Sequence, residues 1–400
     1  MTSTLLVVGA GLAGLSSARA ARQGGFAGRI TVIGGEAHRP YDRPPLSKDY
    51  LLGAVGAGDI GLEGSTEDLR VDWRLASTAT AFDARAHRVE LADGSELTGD
   101  AVVLATGSTA RELPGVAGTN VVTLRTLDDA DRLRTLLRPG RSVAIIGAGL
   151  IGSELASAAI TLGCAVTLLS NEVNPMARLY GDQLGSAFLD WHREHGADFV
   201  FCNAVAGLGA DDQVRELVVA TPDGEHRVMV DVVVVAVGGA PDVAWLAGSG
   251  LEIADGVVCD EHGLTSVPGV GAVGDCASWW DRRLGTHHRA QHWTDALERP
   301  AILVAALLGV PVARARPYLP YFWSDQYGRK IQLAGYPALA DRLEIDGSVG
   351  DLDAGFLGVY RRADEAVAVV TVGRPRDFTR WRKQLTTTIG HLPATAVAAL

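Results

Sequence analysis

Apolar residues in this chain gather in short runs that end in glycine, and one form of that pattern occurs twice. Thr4 to Val8 leads into Gly9-Ala10-Gly11-Leu12-Ala13-Gly14. Ser142 to Ile146 leads into Gly147-Ala148-Gly149-Leu150-Ile151-Gly152, 138 residues later. Each reads as a buried strand, a tight turn and a helix start. In such a turn the first glycine reverses the chain, the second lets backbone approach a diphosphate, and the third lets helix and strand pack closely. The diphosphate then meets free N–H groups at the positive end of a helix. Two such units imply two dinucleotides on one chain, and the economical reason to hold both is to pass electrons between them.

The same pattern places the other elements. Leu12 to Gln23 predicts a small-residue helix, and Arg29 to Ile33 a parallel strand ended by Gly34-Gly35-Glu36. Val102 to Ala105 predicts a buried strand closed by Thr106-Gly107-Ser108, and Val89 to Leu97 a hairpin about Asp93-Gly94. After the second turn come a helix over Gly152 to Leu162, a strand over Ala165 to Leu169, and hairpin segments around Pro222-Asp223-Gly224. Asp231 to Val237 predicts a buried strand ended by Gly238-Gly239. Gly271 to Val273 leads into Gly274-Asp275, and Thr294 to Leu308 reads as a helix. Beyond Pro317, short β-branched and aromatic runs (Ile331 to Leu333, Phe356 to Tyr360, Ala366 to Thr371) predict an antiparallel sheet. The fold class is therefore α/β, with two Rossmann-like dinucleotide-binding domains and a C-terminal α+β domain. The expected boundaries are 1–108 with 240–316, then 109–239, then 317–400.

Composition narrows the function. At 400 residues the chain exceeds one comfortable core, and 47% hydrophobic with 21% charged residues describes an ordinary soluble protein. Met1 to Gly14 has no basic leader and runs straight into the glycine turn, so it reads as a strand rather than a signal peptide. Val232 to Val237 is too short to span a bilayer. A cytoplasmic protein with no membrane partner is expected. Cys164, Cys202, Cys259 and Cys276 show no CxxC spacing and no ligand pattern with the ten histidines, which predicts small buried residues and no metal site. A net charge of −11 argues against nucleic acid. Yet residues 317–400 hold ten Lys+Arg against nine Asp+Glu, while residues 1–316 hold 26 against 38. Arg374, Arg376, Arg380, Arg382 and Lys383, interrupted by Asp377, would draw an acidic partner, or they form a plain solvated face.

The two turns, Ala105-Thr106-Gly107-Ser108 and Gly274-Asp275 together resemble the two-dinucleotide flavoproteins of glutathione-reductase-like architecture. The resemblance implies FAD on the first fold, NAD(P)H on the second, and Asp275 at the ribityl-phosphate region of the flavin. A narrower resemblance lies in three stretches: His38-Arg39-Pro40-Tyr41-Asp42-Arg43-Pro44-Pro45-Leu46-Ser47-Lys48, Gln291 to Glu298, and Tyr321-Phe322-Trp323-Ser324-Asp325-Gln326-Tyr327. These are similar to the FAD-dependent ferredoxin reductases that feed cytochromes P450 and ring-hydroxylating oxygenases. That likeness covers essentially the whole chain. It implies FAD contacts from Gly9, Gly11, Leu12, Ala13, Gly14, Glu36 (on the adenosine ribose), Arg43, Pro44, Lys48, Ala79, Ala105, Thr106, Gly107, Arg125, Gly274, Asp275 and Trp293. It implies NAD(P) contacts from Gly147, Gly149, Leu150, Ile151, Gly152, Glu154, Ser170, Asn171, Glu172, Arg178, Val237 and Gly238.

Hydride arrival leaves negative charge on a reduced flavin, so a fixed cation nearby stabilises it. Lys48, in a proline-stiffened segment, is the candidate, and the resemblance implies that Glu154 pairs with it. The plain alternative is a surface lysine and a glutamate serving a helix dipole. Disulfide reductases of this architecture carry a reactive CxxxxC in the stretch occupied here by Asp42 to Lys48, and related peroxidases carry a single cysteine. This stretch has none, so electrons are expected to leave the flavin directly and singly. Trp293 is placed to cover part of the flavin and Trp323 to face a partner, with domain packing as the alternative for each. At Ser170 NADH-using relatives usually carry an acid that binds the ribose 2′-hydroxyl; Glu172 is the candidate replacement, and no arginine adjoins Ser170 to welcome a phosphate. NADH is expected, with NADPH open. The whole resemblance implies an NAD(P)H:ferredoxin oxidoreductase passing electrons to an acidic [2Fe–2S] ferredoxin that serves a cytochrome P450 or other oxygenase. Its docking would involve the third domain through Arg374 to Lys383 and Arg329-Lys330, the protein being a monomer or weak homodimer. Competing readings are a same-fold reductase of rubredoxin, monodehydroascorbate or oxygen, and an apoptosis-inducing-factor-like NADH sensor.

Overall fold

Five parallel strands form the first sheet, in the order Val270–Ala272, Ala101–Leu104, Thr4–Val8, Arg29–Ile33, Val71–Arg74. The three inner strands are runs of Leu, Ile and Val buried on both faces, as a covered parallel sheet requires. Val8 pairs with both Ile33 and Leu104, so these strands end together beneath the Gly9 turn. Helix Leu12–Gln23 lies over the sheet through Ala13, Gly14, Ser17, Ala18 and Ala21, whose small side chains permit the close approach. The computed structural model describes residues 2–64, 68–282, 285–310 and 319–388, so the expected boundary at 316/317 lies outside the described residues.

The second sheet repeats the first. Its order is Ala197–Phe201, Ala165–Ser170, Ser142–Ile146, Val232–Val235, Val121–Thr123, again all parallel. Helix Leu150–Thr161 begins two residues earlier than the pattern suggested, and Gly152 falls inside its first turn. A two-stranded antiparallel ribbon, Ser108–Ala110 with Gly239–Pro241, joins the two units. The hairpin about Gly94, at φ +81°, is present as Arg88–Leu91 and Glu96–Thr98. Strand Val71–Arg74, whose Val-Asp-Trp-Arg alternation is only four residues long, was not legible in the pattern.

The third sheet is antiparallel, ordered Tyr321–Gln326, Arg329–Gly335, Glu365–Val372, Phe356–Arg362, Arg342–Gly347. Period-two burial gives it two faces. Leu357, Val359, Ala366 and Val369 take Phe378 and Leu385 of helix Pro375–Thr388. Ile331, Phe356, Tyr360 and Val370 pack on Met176, Tyr180, Phe188 and Trp191 of the second unit. Tyr180, Phe188, Trp191 and Phe356 are at most 1% exposed. Burying each such side chain contributes about 1.5–3 kcal/mol, which joins the third domain firmly to the second. Among the described residues no helix is long and apolar enough to cross a membrane.

Candidate functional site

The first glycine turn shows why three glycines are needed. A Cβ on Gly9, which sits at φ +119°, would lie 2.1 Å from the Ala105 carbonyl oxygen, and one on Gly14 would lie 1.9 Å from that of Gly9. Gly11 meets nothing within 4 Å, so its open side is free for a ligand to approach the backbone. It caps helix Leu12–Gln23 without any side-chain bond or first-turn acid, leaving the amide donors to an anion. The second turn reproduces the arrangement: Gly147 meets Ala236 O at 2.3 Å, Gly152 meets Gly147 O at 1.9 Å, and Gly149 is open. Both cradles suit a diphosphate, and neither leaves room for a larger residue at its first or third glycine.

One cavity of about 1060 Å³ runs from the first turn to the third domain. It is lined by Gly9, Gly11, Leu12, Ala13, Glu36, Arg43, Pro44, Lys48, Ala79, Ala105, Thr106, Gly107, Arg125, Gly274, Asp275 and Trp293. Gly14 alone of the residues expected to face a flavin is absent, because it packs helix against turn. Leu150, Ile151 and Glu154 enter the same cavity from the second unit, and Tyr321, Phe322 and Trp323 from the third. None of the four cysteines lines it; all are buried with free thiols, and burial raises the pKa of Cys276, beneath the Thr106–Gly107 turn.

At one end of the cavity, Glu36 accepts from Tyr41 Oη at 2.5 Å and from Arg43 Nη2 at 2.6 Å. Tyr41 Oη in turn accepts from Leu127 N at 2.9 Å. Burial pushes the Tyr41 phenol well above its ordinary range, so it stays a donor to Glu36. Further along, Arg125 Nη2 donates to Asp275 Oδ2 at 3.0 Å, and Ser108 Oγ to the same oxygen at 3.1 Å. Two guanidinium groups, Arg43 on Glu36 and Arg125 on Asp275, and their two carboxylates thus line this part of the cavity, a setting suited to phosphate and hydroxyl groups. At the far end Trp293 Nε1 donates to Asp42 Oδ1 at 2.7 Å, and burial raises the Asp42 carboxyl. Trp293 meets Trp323 edge to face at 5.9 Å, Trp323 stacks on Tyr321 at 5.7 Å, and the Arg382 guanidinium lies 4.2 Å over Tyr321.

Lys48 and Glu154 meet in this cavity. Lys48 Nζ donates to Glu154 Oε2 at 2.6 Å and to Pro44 O at 3.1 Å. The short helical turn Pro44–Ser47 presents the lysine, and the first turns of helix Leu150–Thr161 present the glutamate. Ser47 and Ser324, quoted in the motifs but given no role there, also bond Glu154. Tyr41 was likewise unassigned: its signal, a phenol five residues after Glu36, is too generic to read alone.

Gly147, Gly149, Gly152, Ser170, Asn171, Glu172, Arg178, Val237 and Gly238 do not line the cavity. Ser170 is buried, and its Oγ accepts from Glu172 N at 3.1 Å. Gly9 N bonds Ile33 O, and Gly147 N bonds Leu169 O, so the duplicated units can be aligned through these carbonyls. Glu36 and Glu172 then fall at the same place, three residues beyond each. Arg178 is exposed on the short helix Ala177–Tyr180.

Two dinucleotide cradles, the first opening into the cavity and the second sending the start of its helix to line it, with a buried ion pair between the two units, define a two-nucleotide oxidoreductase. Residues 3–298 match the family model described as pyridine nucleotide-disulphide oxidoreductase, and residues 321–399 match the one described as reductase C-terminal. The chain belongs to the pyridine nucleotide-disulphide oxidoreductase family and carries the reductase C-terminal domain. It is 36% identical over 382 residues to the ferredoxin reductase component of a chlorobenzene dioxygenase from Cupriavidus sp. (strain PS12), covering 94% of this chain and 91% of that one. It is 33% identical over 391 residues to putidaredoxin reductase of Pseudomonas putida, covering 96% and 91%. The fold is similar to that in a crystal structure of the covalent putidaredoxin reductase–putidaredoxin complex, with a TM-score of 0.88, 32% identity, and coverage of 96% of this chain and 93% of that one.

Proposed function

We propose that this chain is an FAD-containing, NADH-dependent ferredoxin reductase that supplies a [2Fe–2S] ferredoxin serving a cytochrome P450 or another oxygenase. The observation that carries this reading is the single cavity joining the first cradle to Leu150, Ile151 and Glu154 of the second and to Trp323 of the third domain, lined by no cysteine. The chemistry that bound FAD would supply is hydride acceptance from NADH and single-electron donation to an iron–sulfur protein. The chain's own part is to hold and polarise. Gly9, Gly11 and the uncapped start of helix Leu12–Gln23 would take the diphosphate, Glu36 the adenosine ribose, and Arg43, Arg125 and Asp275 the phosphate and ribityl groups. Lys48 would hold a fixed positive charge where negative charge develops, kept in place by Glu154. Gly147, Gly149 and Gly152 would take the second diphosphate, with Glu172 on the 2′-hydroxyl of its ribose, a contact that favours NADH.

The ferredoxin in this reading is acidic and docks beside Tyr321 and Trp323. Exposed Arg376, Arg380 and Lys383 share one face of helix Pro375–Thr388, opposite buried Phe378 and Leu385. The experiment is cytochrome c reduction by NADH with the FAD-loaded chain, with and without an acidic [2Fe–2S] ferredoxin. Reduction is expected to depend on the ferredoxin. Equal rates without it would assign the chain another acceptor.

A further inference from the structure

Ser324 belongs to the third sheet, yet it is fully buried and its Oγ donates to Glu154 Oε1 at 2.7 Å. The other oxygen of that carboxylate accepts from Ser47 Oγ at 2.5 Å and Lys48 Nζ at 2.6 Å. One carboxylate, 2% exposed, therefore collects donors from both other parts of the chain. Gln326 Nε2 donates to Ser324 Oγ at 3.0 Å. That bond occupies a lone pair of the hydroxyl and leaves its proton for Glu154. Close by, Tyr327 N donates to Ser157 Oγ at 2.7 Å. Ser324 and Tyr327 are spaced like Glu154 and Ser157, so the segment and helix Leu150–Thr161 are pinned at two points.

The geometry points to Ser324, oriented by Gln326, as a positioning residue for the Lys48–Glu154 pair; this rests on the reading of Lys48 as the cation beside the flavin. The physical reason is torsional. The terminal torsion of a glutamate is broad and roughly two-fold, so donors on Oε2 alone leave the carboxylate plane loosely set. A donor on Oε1 fixes the plane, and with it the direction in which Oε2 holds the Lys48 ammonium. The third domain then does more than offer a docking face: it completes the support of the cation.

The test is a double-mutant cycle on the full-length, FAD-loaded chain with Ser324→Ala, Lys48→Ala and the double variant. Two quantities are read: the flavin midpoint potential by spectroelectrochemical titration, and the rate of flavin bleaching at saturating NADH in anaerobic stopped flow. Ser324→Ala is expected to retain FAD, to move the potential in the same direction as Lys48→Ala, and to slow bleaching by about three- to tenfold, as loss of a hydrogen bond to a charged group would. In the Lys48→Ala background it should add nothing. The same cycle with Gln326→Leu, which keeps the hydroxyl but removes the group that orients it, should give a smaller loss of the same sign. Unchanged potential and rate in Ser324→Ala, or losses that multiply in the Lys48→Ala background, would overturn the assignment alone. A wild-type chain that binds no FAD overturns the functional reading and this inference with it.

Discussion

Lys48 Nζ and Glu154 Oε2 lie 2.6 Å apart, with 10% and 2% of the two side chains exposed. The two residues come from different dinucleotide units, so their contact spans the cavity between them. A buried ion pair is weak evidence for stability, but removing one partner strands the other charge at a cost of about 3–5 kcal/mol. Glu154→Gln keeps the shape and removes the counter-charge. It is expected to lower the melting temperature of the FAD-loaded protein and to slow NADH-driven bleaching by about tenfold or more. Stopped-flow absorbance and thermal melts check it; a variant with wild-type values in both would remove the pair from the mechanism.

The glycine turn separates folding from binding. A Cβ at position 14 would need the Gly9 carbonyl to move, since it would sit 1.9 Å from that oxygen, whereas at position 11 it would meet no protein atom within 4 Å. Gly14→Ala is therefore expected to yield little folded protein. Gly11→Ala should fold, with stability changed by about 1 kcal/mol at most, yet bind FAD poorly because the new methyl stands where a diphosphate approaches. Circular dichroism together with flavin content per chain distinguishes the two. Full FAD occupancy in Gly11→Ala would contradict the assignment of the cradle.

Arg376, Arg380 and Lys383 present one exposed helical face. The charge of the basic tail is partly spent: Arg374 pairs with Asp346 and Asp377, and Arg380, on that face, reaches Asp377 at 3.2 Å. Arg329 faces Asp353 and Lys330 faces Asp325. Reversing charge at Arg376 and Lys383 is expected to raise the apparent KM for an acidic ferredoxin about tenfold at low ionic strength, with less effect at high salt and none on dye reduction. Equal loss with dye and ferredoxin would show that this face does not dock the partner.

His192 gives the join between the second and third domains a pH dependence. It is buried at 3% exposure with Tyr327 Oη 2.6 Å from Nδ1, and burial pushes its pKa down from 6.5 to about 4. The unfolded chain therefore takes up the proton first. This contribution is fully present above about pH 6.5 and is lost as pH falls toward 4, by up to about 3 kcal/mol. Melts of wild type and His192→Leu between pH 4 and 7 should show a shallower acid loss in the variant. Parallel curves would mean the imidazole titrates normally.

Much of this was readable because α/β units announce themselves through buried strands followed by glycine. Thr4–Val8, Leu12–Gln23, Arg29–Ile33 and Ser142–Ile146 fall where the apolar runs and turns place them. The cavity-lining set was legible for the same reason: its residues cluster at strand ends and in one proline-rich motif. Ser324 was not, because a serine alternating with aromatics in a strand looks like filler until the chain brings Glu154 to it from 170 residues away. The basic tail was legible only in part. Sequence counts the charges, but only the fold shows that Asp346 comes from another strand to neutralise Arg374.

The most direct measurement is a paired count of thiols and electrons. The FAD-loaded chain is reduced anaerobically with NADH, denatured and titrated for thiols, alongside the oxidised protein. The account predicts complete bleaching, the same four thiols in both samples, and recovery of the yellow colour on adding oxidised ferredoxin. Extra thiols in the reduced sample, or a protein that takes up no flavin at all, would contradict it.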